Sequence, residues 1–98
     1  MDVLSFDWDD GNLEKCQSHG VSLDEVESVF YNNPGLYLNV KHKADEERYQ
    51  AIGRTQHGRF AYVVFTLREG PDSQLIRPIS ARYMHKKEID HYENQAKT

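Results

Sequence analysis

The sequence predicts an α+β fold: a short N-terminal strand and two helices, then an antiparallel meander sheet and a C-terminal helix. Three observations carry this. Residues 22–30 set apolar side chains at helical spacing behind a Ser-x-x-Glu capping box. Residues 36–83 run with a period near two. Turn-forming groups at 32–35, 56–58 and 69–74 cut that stretch into strand-length pieces.

In chain order, "VLSFDWDDG" alternates Val3, Ser5 and Asp7 against Leu4, Phe6 and Trp8, a short strand with one apolar face. Asp9 or Asp10 then caps a helix running to about Ser18, with Leu13 and Cys16 inward and Gly20 as its stop. A second helix starts at Ser22, with Glu25 closing the capping box and Val21 placed to staple onto Val26. Its inward stripe is Leu23, Val26, Val29 and Phe30, and "NNPG" ends it.

The strands are expected at 36–40, 48–55, 60–68 and 75–83, with a charged loop, "KHKADEE", between the first two. "FAYVVFTLR" is apolar on both faces and reads as the central strand. Pro78 cannot donate to a ladder, so an edge or a bulge is expected there. Gly53, Gly58 and Gly70 read as turn or bulge positions. From Met84 onward, Ile89 and Tyr92 mark a short final helix with a polar tail.

The 98 residues fit one domain, 1–98, with no linker and no internal repeat. No apolar stretch approaches the roughly 20 residues of a membrane span, and the opening "MDVLSFDWDD" lacks the features of a secretory signal. Cys16 is the single cysteine, which excludes an intramolecular disulfide and suits a reducing cytoplasm. The net charge of −4 divides unevenly. Residues 1–50 hold eleven acidic and four basic side chains, a net of −7, whereas residues 51–98 hold five and eight, a net of +3. A basic C-terminal half permits a local polyanion site on an acidic protein.

The five histidines, His19, His42, His57, His85 and His91, form no i, i+4 pair and no metal-binding pattern, so no metal and no cofactor are expected. The arginines say more. Arg54 ends one strand, and Arg77 and Arg82 lie on another. Alternation puts Arg77 on a face with Ile79 and Ala81, and Arg82 on the opposite face with Ile76 and Ser80. Arginines at the ends of paired strands can converge on one anion, because guanidinium forks onto phosphate oxygens. The plainer alternative pairs each with an acid such as Glu46 or Glu47. Tyr83, His85, Lys86 and Lys87 follow directly and add proton donors, acceptors and charge.

Several short blocks stand together in one order and spacing: Phe6-x-Trp8-Asp9, His19-Gly20-Val21, Glu46-Glu47-Arg48, Ile52-Gly53-Arg54 and Ile79-Ser80-Ala81-Arg82. In these the chain, from about Phe6 to Glu93, resembles the BrnT-type toxins. The resemblance implies a RelE-like α+β fold, a cytoplasmic ribonuclease and a BrnA-like ribbon–helix–helix antitoxin, with DNA met only through that antitoxin. Where the family often has a lysine before its His-Gly pair, Ser18 stands here. The final helix, "YMHKKEIDHYE", is only mildly basic.

Metal-independent RNA cleavage needs a base for the 2′-hydroxyl, a cation beside the phosphate and an acid for the leaving oxygen. The catalytic candidates are His19, Arg54, Arg82, Tyr83 and His85. Arg54, Arg77, Arg82, Lys86 and Lys87 are the candidates for holding RNA, and Tyr83, Met84 and Ile89 for apolar contact with the antitoxin. The alternative from another class is a non-catalytic module that binds an acidic protein through the same basic face.

Overall fold

The computed structural model describes residues 4–39 and 47–96. Two helices, α1 (Leu13–Gln17) and α2 (Leu23–Tyr31), precede four strands, β1 (Gly35–Leu38), β2 (Tyr49–Arg54), β3 (Phe60–Glu69) and β4 (Gln74–Tyr83), and α3 (Lys86–Ala96) follows. The strands form one antiparallel sheet in the order β1-β2-β3-β4. The α+β plan with a meander is therefore present, and β3 lies between β2 and β4 as its two apolar faces require. Val40 and most of the expected charged loop, with Glu46, lie outside the described residues.

Val3 lies outside the described residues, and among those described the expected N-terminal strand shrinks to one parallel bridge, Phe6 to Ile76. Asp7 N–H donates to the Ile76 carbonyl at 2.8 Å and Ile76 N–H to the Ser5 carbonyl at 2.9 Å, so this segment runs beside β4. The ladder stops because the chain turns at once. Asp9 Oδ1 accepts from Gly11 N–H at 2.8 Å, and Asn12 Oδ1 accepts from Asp9 N–H at 2.9 Å. Asn12, not Asp9 or Asp10, is the N-cap residue of α1, and it makes no side-chain cap bond. Its side chain is spent elsewhere: buried, it donates from Nδ2 to the carbonyls of Asp7 and Pro78 at 2.9 and 2.7 Å.

α2 begins as its sequence dictates. Ser22 Oγ accepts from Glu25 N–H at 3.2 Å, and Glu25 Oε1 accepts from Ser22 N–H at 3.3 Å. Val21, Val26 and Val29 reach the core, where they meet Ala51, Ala61, Val63, Phe65 and Ala81. A fully buried valine contributes roughly 1.5 kcal/mol or more. The small alanines of β2, β3 and β4 let the helix lie close to the sheet.

Pro78 does mark a bulge. Val64 pairs with Ser80 but Phe65 pairs with Pro78, so Ile79 has no partner opposite it. One inserted residue reverses the alternation beyond it. Arg77 consequently pairs with Thr66 and Arg82 with Tyr62, both on one face of β3, which corrects the expected placement of the two arginines on opposite faces. Gly53 is also not a bulge: it sits inside β2 opposite Ala61, where an added Cβ would come within 3.3 Å of the Pro34 Cα. Gly58, at φ +84°, fills the expected turn position.

Candidate functional site

At one end of the sheet β2 and β4 finish and β3 begins, so the register brings Arg54, Arg59, Phe60, Arg82 and Tyr83 to a common rim. Tyr83 is on the α2 side, packed against the core, and its neighbour Arg82 is on the other side over Tyr62.

On the α2 side, Tyr83 Oη donates to Glu25 Oε1 at 2.6 Å and lies 3.4 Å from the Gly20 carbonyl. Glu25 is only 6 % exposed. Burial pushes its carboxyl up, but the Tyr83 hydrogen bond, the Ser22 bonds and the nearby His57 outweigh burial and hold it below the usual carboxylate range. The same short bond to the carboxylate, with burial, raises the Tyr83 phenol above its ordinary value. The Arg59 guanidinium lies 3.5 Å from the centre of the Tyr83 ring. His19, exposed, immediately precedes Gly20, whose positive φ of 91° turns the chain toward α2. A carboxylate, a phenol and a guanidinium thus meet within one small cluster, with the His57 imidazole close enough to act on Glu25.

On the opposite side, Arg82 forks onto Glu88, Nη1 to Oε1 at 2.8 Å and Nη2 to Oε2 at 2.7 Å. Arg82, followed by the His85 backbone N–H at 3.0 Å, depresses the Glu88 carboxyl to about 2. His85 itself is exposed at the start of α3. Arg54, paired with Phe60, lies on this same α3 side: its guanidinium lies 4.4 Å from the Phe60 ring centre and Nη1 donates to the Gly58 carbonyl at 3.0 Å. It faces a groove of about 630 Å³ shared with Tyr31, Asn32, Gln56, Phe60 and Tyr92. Among the described residues, no ion pair engages Arg54 or Arg59.

The remaining candidates are elsewhere. Arg77 lies at the far part of β4, 14 % exposed, with Nη1 on Asp9 at 2.9 Å and on Asp7 at 3.3 Å. It ties the N-terminal segment to the sheet, and among the described residues its carboxylate partners are these two aspartates and not Glu47. Lys86 pairs with Asp90 at 3.0 Å, and Lys87 is exposed on the same turn. Met84 joins Tyr62, Glu88, His91 and Tyr92 around a groove of about 370 Å³ on the α3 side, away from Tyr83; Ile89 is half-buried.

Sequence reasoning missed three participants. Glu25 was explained fully by its cap, and Glu88 and Arg59 carried no reading of their own. The hairpin register, once β2 and β3 are paired through Arg54 and Phe60, is the signal that brings Arg59 to the end of β4.

Among the described residues, no three His, Cys, Asp or Glu side chains come together as a metal site. No helix there is long and apolar enough to cross a membrane. A second groove of about 600 Å³, lined by Phe30, Leu36, Leu38, Phe65 and Leu67 among others, is apolar and offers no acid–base pair.

Residues 8–88 match the model of a family described as the ribonuclease toxin, BrnT, of type II toxin-antitoxin systems. The matched span takes in Glu25, Arg54, Arg59, Arg82, Tyr83 and Glu88. No curated protein matches the chain.

Proposed function

Because the chain belongs to the BrnT family of ribonuclease toxins, we propose that its RNA-cleaving centre is the rim formed by Arg54, Arg59 and Tyr83. The observation that carries this is the state of the two arginines. Each rests on an aromatic ring, and no carboxylate neutralises either among the described residues. Such guanidinium groups hold a phosphate and offset the charge that grows on it as the 2′-oxygen attacks. An imidazole on the same rim, His57 or His19, gives a proton to the leaving 5′-oxygen. The groups gathered here are those of acid–base chemistry, and this cleavage uses no metal ion. Arg82 contributes to RNA binding only after exchanging Glu88 for a phosphate. Lys86 and Lys87 flank the path of the strand, with His85 beside them.

Family membership implies an antitoxin partner and an RNA substrate. The partner we propose is a BrnA-like ribbon–helix–helix protein that sets acidic or aromatic side chains against Arg54 and Arg59 and rests apolar contacts on Tyr83, Met84 and Ile89. DNA is then met only through the antitoxin. The pair would act in the cytoplasm, where the RNA is.

A second reading is a non-catalytic module that binds an acidic protein through the same face. Its support is that Arg77, Arg82 and Lys86 are already held by acids. Incubating the purified chain with RNA in EDTA separates the two, since only the enzyme leaves cut RNA.

A further inference from the structure

We infer that Glu25 and Tyr83 form a proton relay, with Tyr83 touching the 2′-hydroxyl and Glu25 acting through it as the final proton acceptor. This inference rests on the rim being the ribonuclease centre and deepens it. Four features support it. The Tyr83–Glu25 bond is short at 2.6 Å and joins the first turn of α2 to the end of β4. Glu25 is 6 % exposed, so RNA cannot reach it directly. Tyr83 is half-buried, so RNA can reach its ring edge. Arg59 stacks 3.5 Å from that ring centre, so a phosphate held by its guanidinium would lie next to Tyr83. The groups that face the pair are Arg59 and His57 from the β2–β3 turn and Ser22 at the start of α2.

The step balances in atoms and electrons. Tyr83 Oη takes the 2′-hydroxyl proton while its own proton passes to Glu25 Oε1. The 2′-oxygen forms a bond to phosphorus, the bond from phosphorus to the 5′-oxygen breaks, and the departing oxygen takes a proton from the imidazole. The products are a 2′,3′-cyclic phosphate and a 5′-hydroxyl end. Glu25 returns its proton to solvent by the reverse route. A cap alone would use Glu25 through Ser22, and it would need neither the phenol nor the guanidinium.

The test compares Glu25→Gln, Tyr83→Phe and the double variant with the wild-type chain on a single-stranded RNA. The amide keeps an oxygen for Ser22 N–H, and Tyr83→Phe leaves the cap untouched, so one variant remains informative if the other fails to fold. Each single change should lower kcat by roughly 100-fold or more with RNA affinity unchanged, and the double change should add little. The acid limb of the wild-type rate profile, set by Glu25 below the usual carboxylate range, should vanish in Glu25→Gln. The Tyr83 phenol, followed by its ultraviolet absorbance, should ionise at lower pH in that variant. A wild-type chain that cuts RNA alongside a fully active, folded Glu25→Gln or Tyr83→Phe overturns the relay and spares the ribonuclease centre. A wild-type chain that never cuts RNA overturns both.

Discussion

Glu88 holds Arg82 through both carboxylate oxygens, at 2.8 and 2.7 Å, and so occupies the guanidinium edge that a phosphate would take. Replacing Glu88 by Gln should free that edge. RNA should then bind on the order of tenfold more tightly, and the slope of log K against log salt should steepen by about 0.7, the value of one more single-strand phosphate contact. Filter binding across a salt series measures both. Unchanged affinity and slope would mean that Arg82 does not meet RNA.

The same pair predicts how stability depends on acid. The Arg82 guanidinium holds the Glu88 carboxyl down at about 2, below the 4.5 of a free glutamate, so the charged form favours the folded chain. That contribution is fully present above pH 4.5 and is lost as pH falls through 2. With Glu88 and Arg82 side chains 35 % and 37 % exposed, solvent screening reduces it to about 1 kcal/mol. Urea midpoints at pH 6 and pH 3 should therefore fall less in Glu88→Gln than in the wild type. An equal fall in both would remove this pair as an acid-sensitive element.

Arg77→Ala should destabilise rather than inactivate. It leaves Asp7 and Asp9 facing each other without the guanidinium that lowers the Asp9 carboxyl, and it unties the N-terminal segment from β4. A loss of about 2 kcal/mol in urea unfolding is expected. RNA cleavage well below the melting temperature should stay within a few-fold of wild type. A large loss of cleavage at unchanged stability would return Arg77 to the RNA path.

Removing the cap separates Glu25's two tasks. Ser22→Ala deletes the hydroxyl that accepts from Glu25 N–H but keeps the Tyr83–Glu25 bond. Thermal unfolding should show a cost of about 1 kcal/mol, with kcat preserved at a temperature where the variant is folded. Loss of kcat in the folded variant would tie activity to the cap itself.

Much of this was legible from residue spacing. The Ser22–Glu25 box, the Val21, Val26 and Val29 stripe and the period-two stretch from Leu36 led to α2 and the meander, because local chemistry and burial agree there. Pro78 announced a bulge, but its consequence for Arg77 is a matter of register, and register is set by pairing across strands. Asn12 was illegible because its carbonyl partner on Pro78 lies 66 positions away. The site was half legible for the same reason. Tyr83 and Arg54 stood out by type, whereas Glu25 is 58 positions from Tyr83 and already had a local explanation.

We propose that the rim of Arg54, Arg59 and Tyr83 cuts RNA. The most direct measurement is cleavage of a single-stranded RNA by the purified, antitoxin-free chain in EDTA, with Arg54→Ala and Arg59→Ala beside the wild type at matched folding. The wild type should cut RNA and leave 2′,3′-cyclic phosphate ends, and each variant should lose on the order of 100-fold, the usual cost of removing one preorganised charge at a transition state. No cleavage by the wild type, or cleavage that both variants retain, would contradict it.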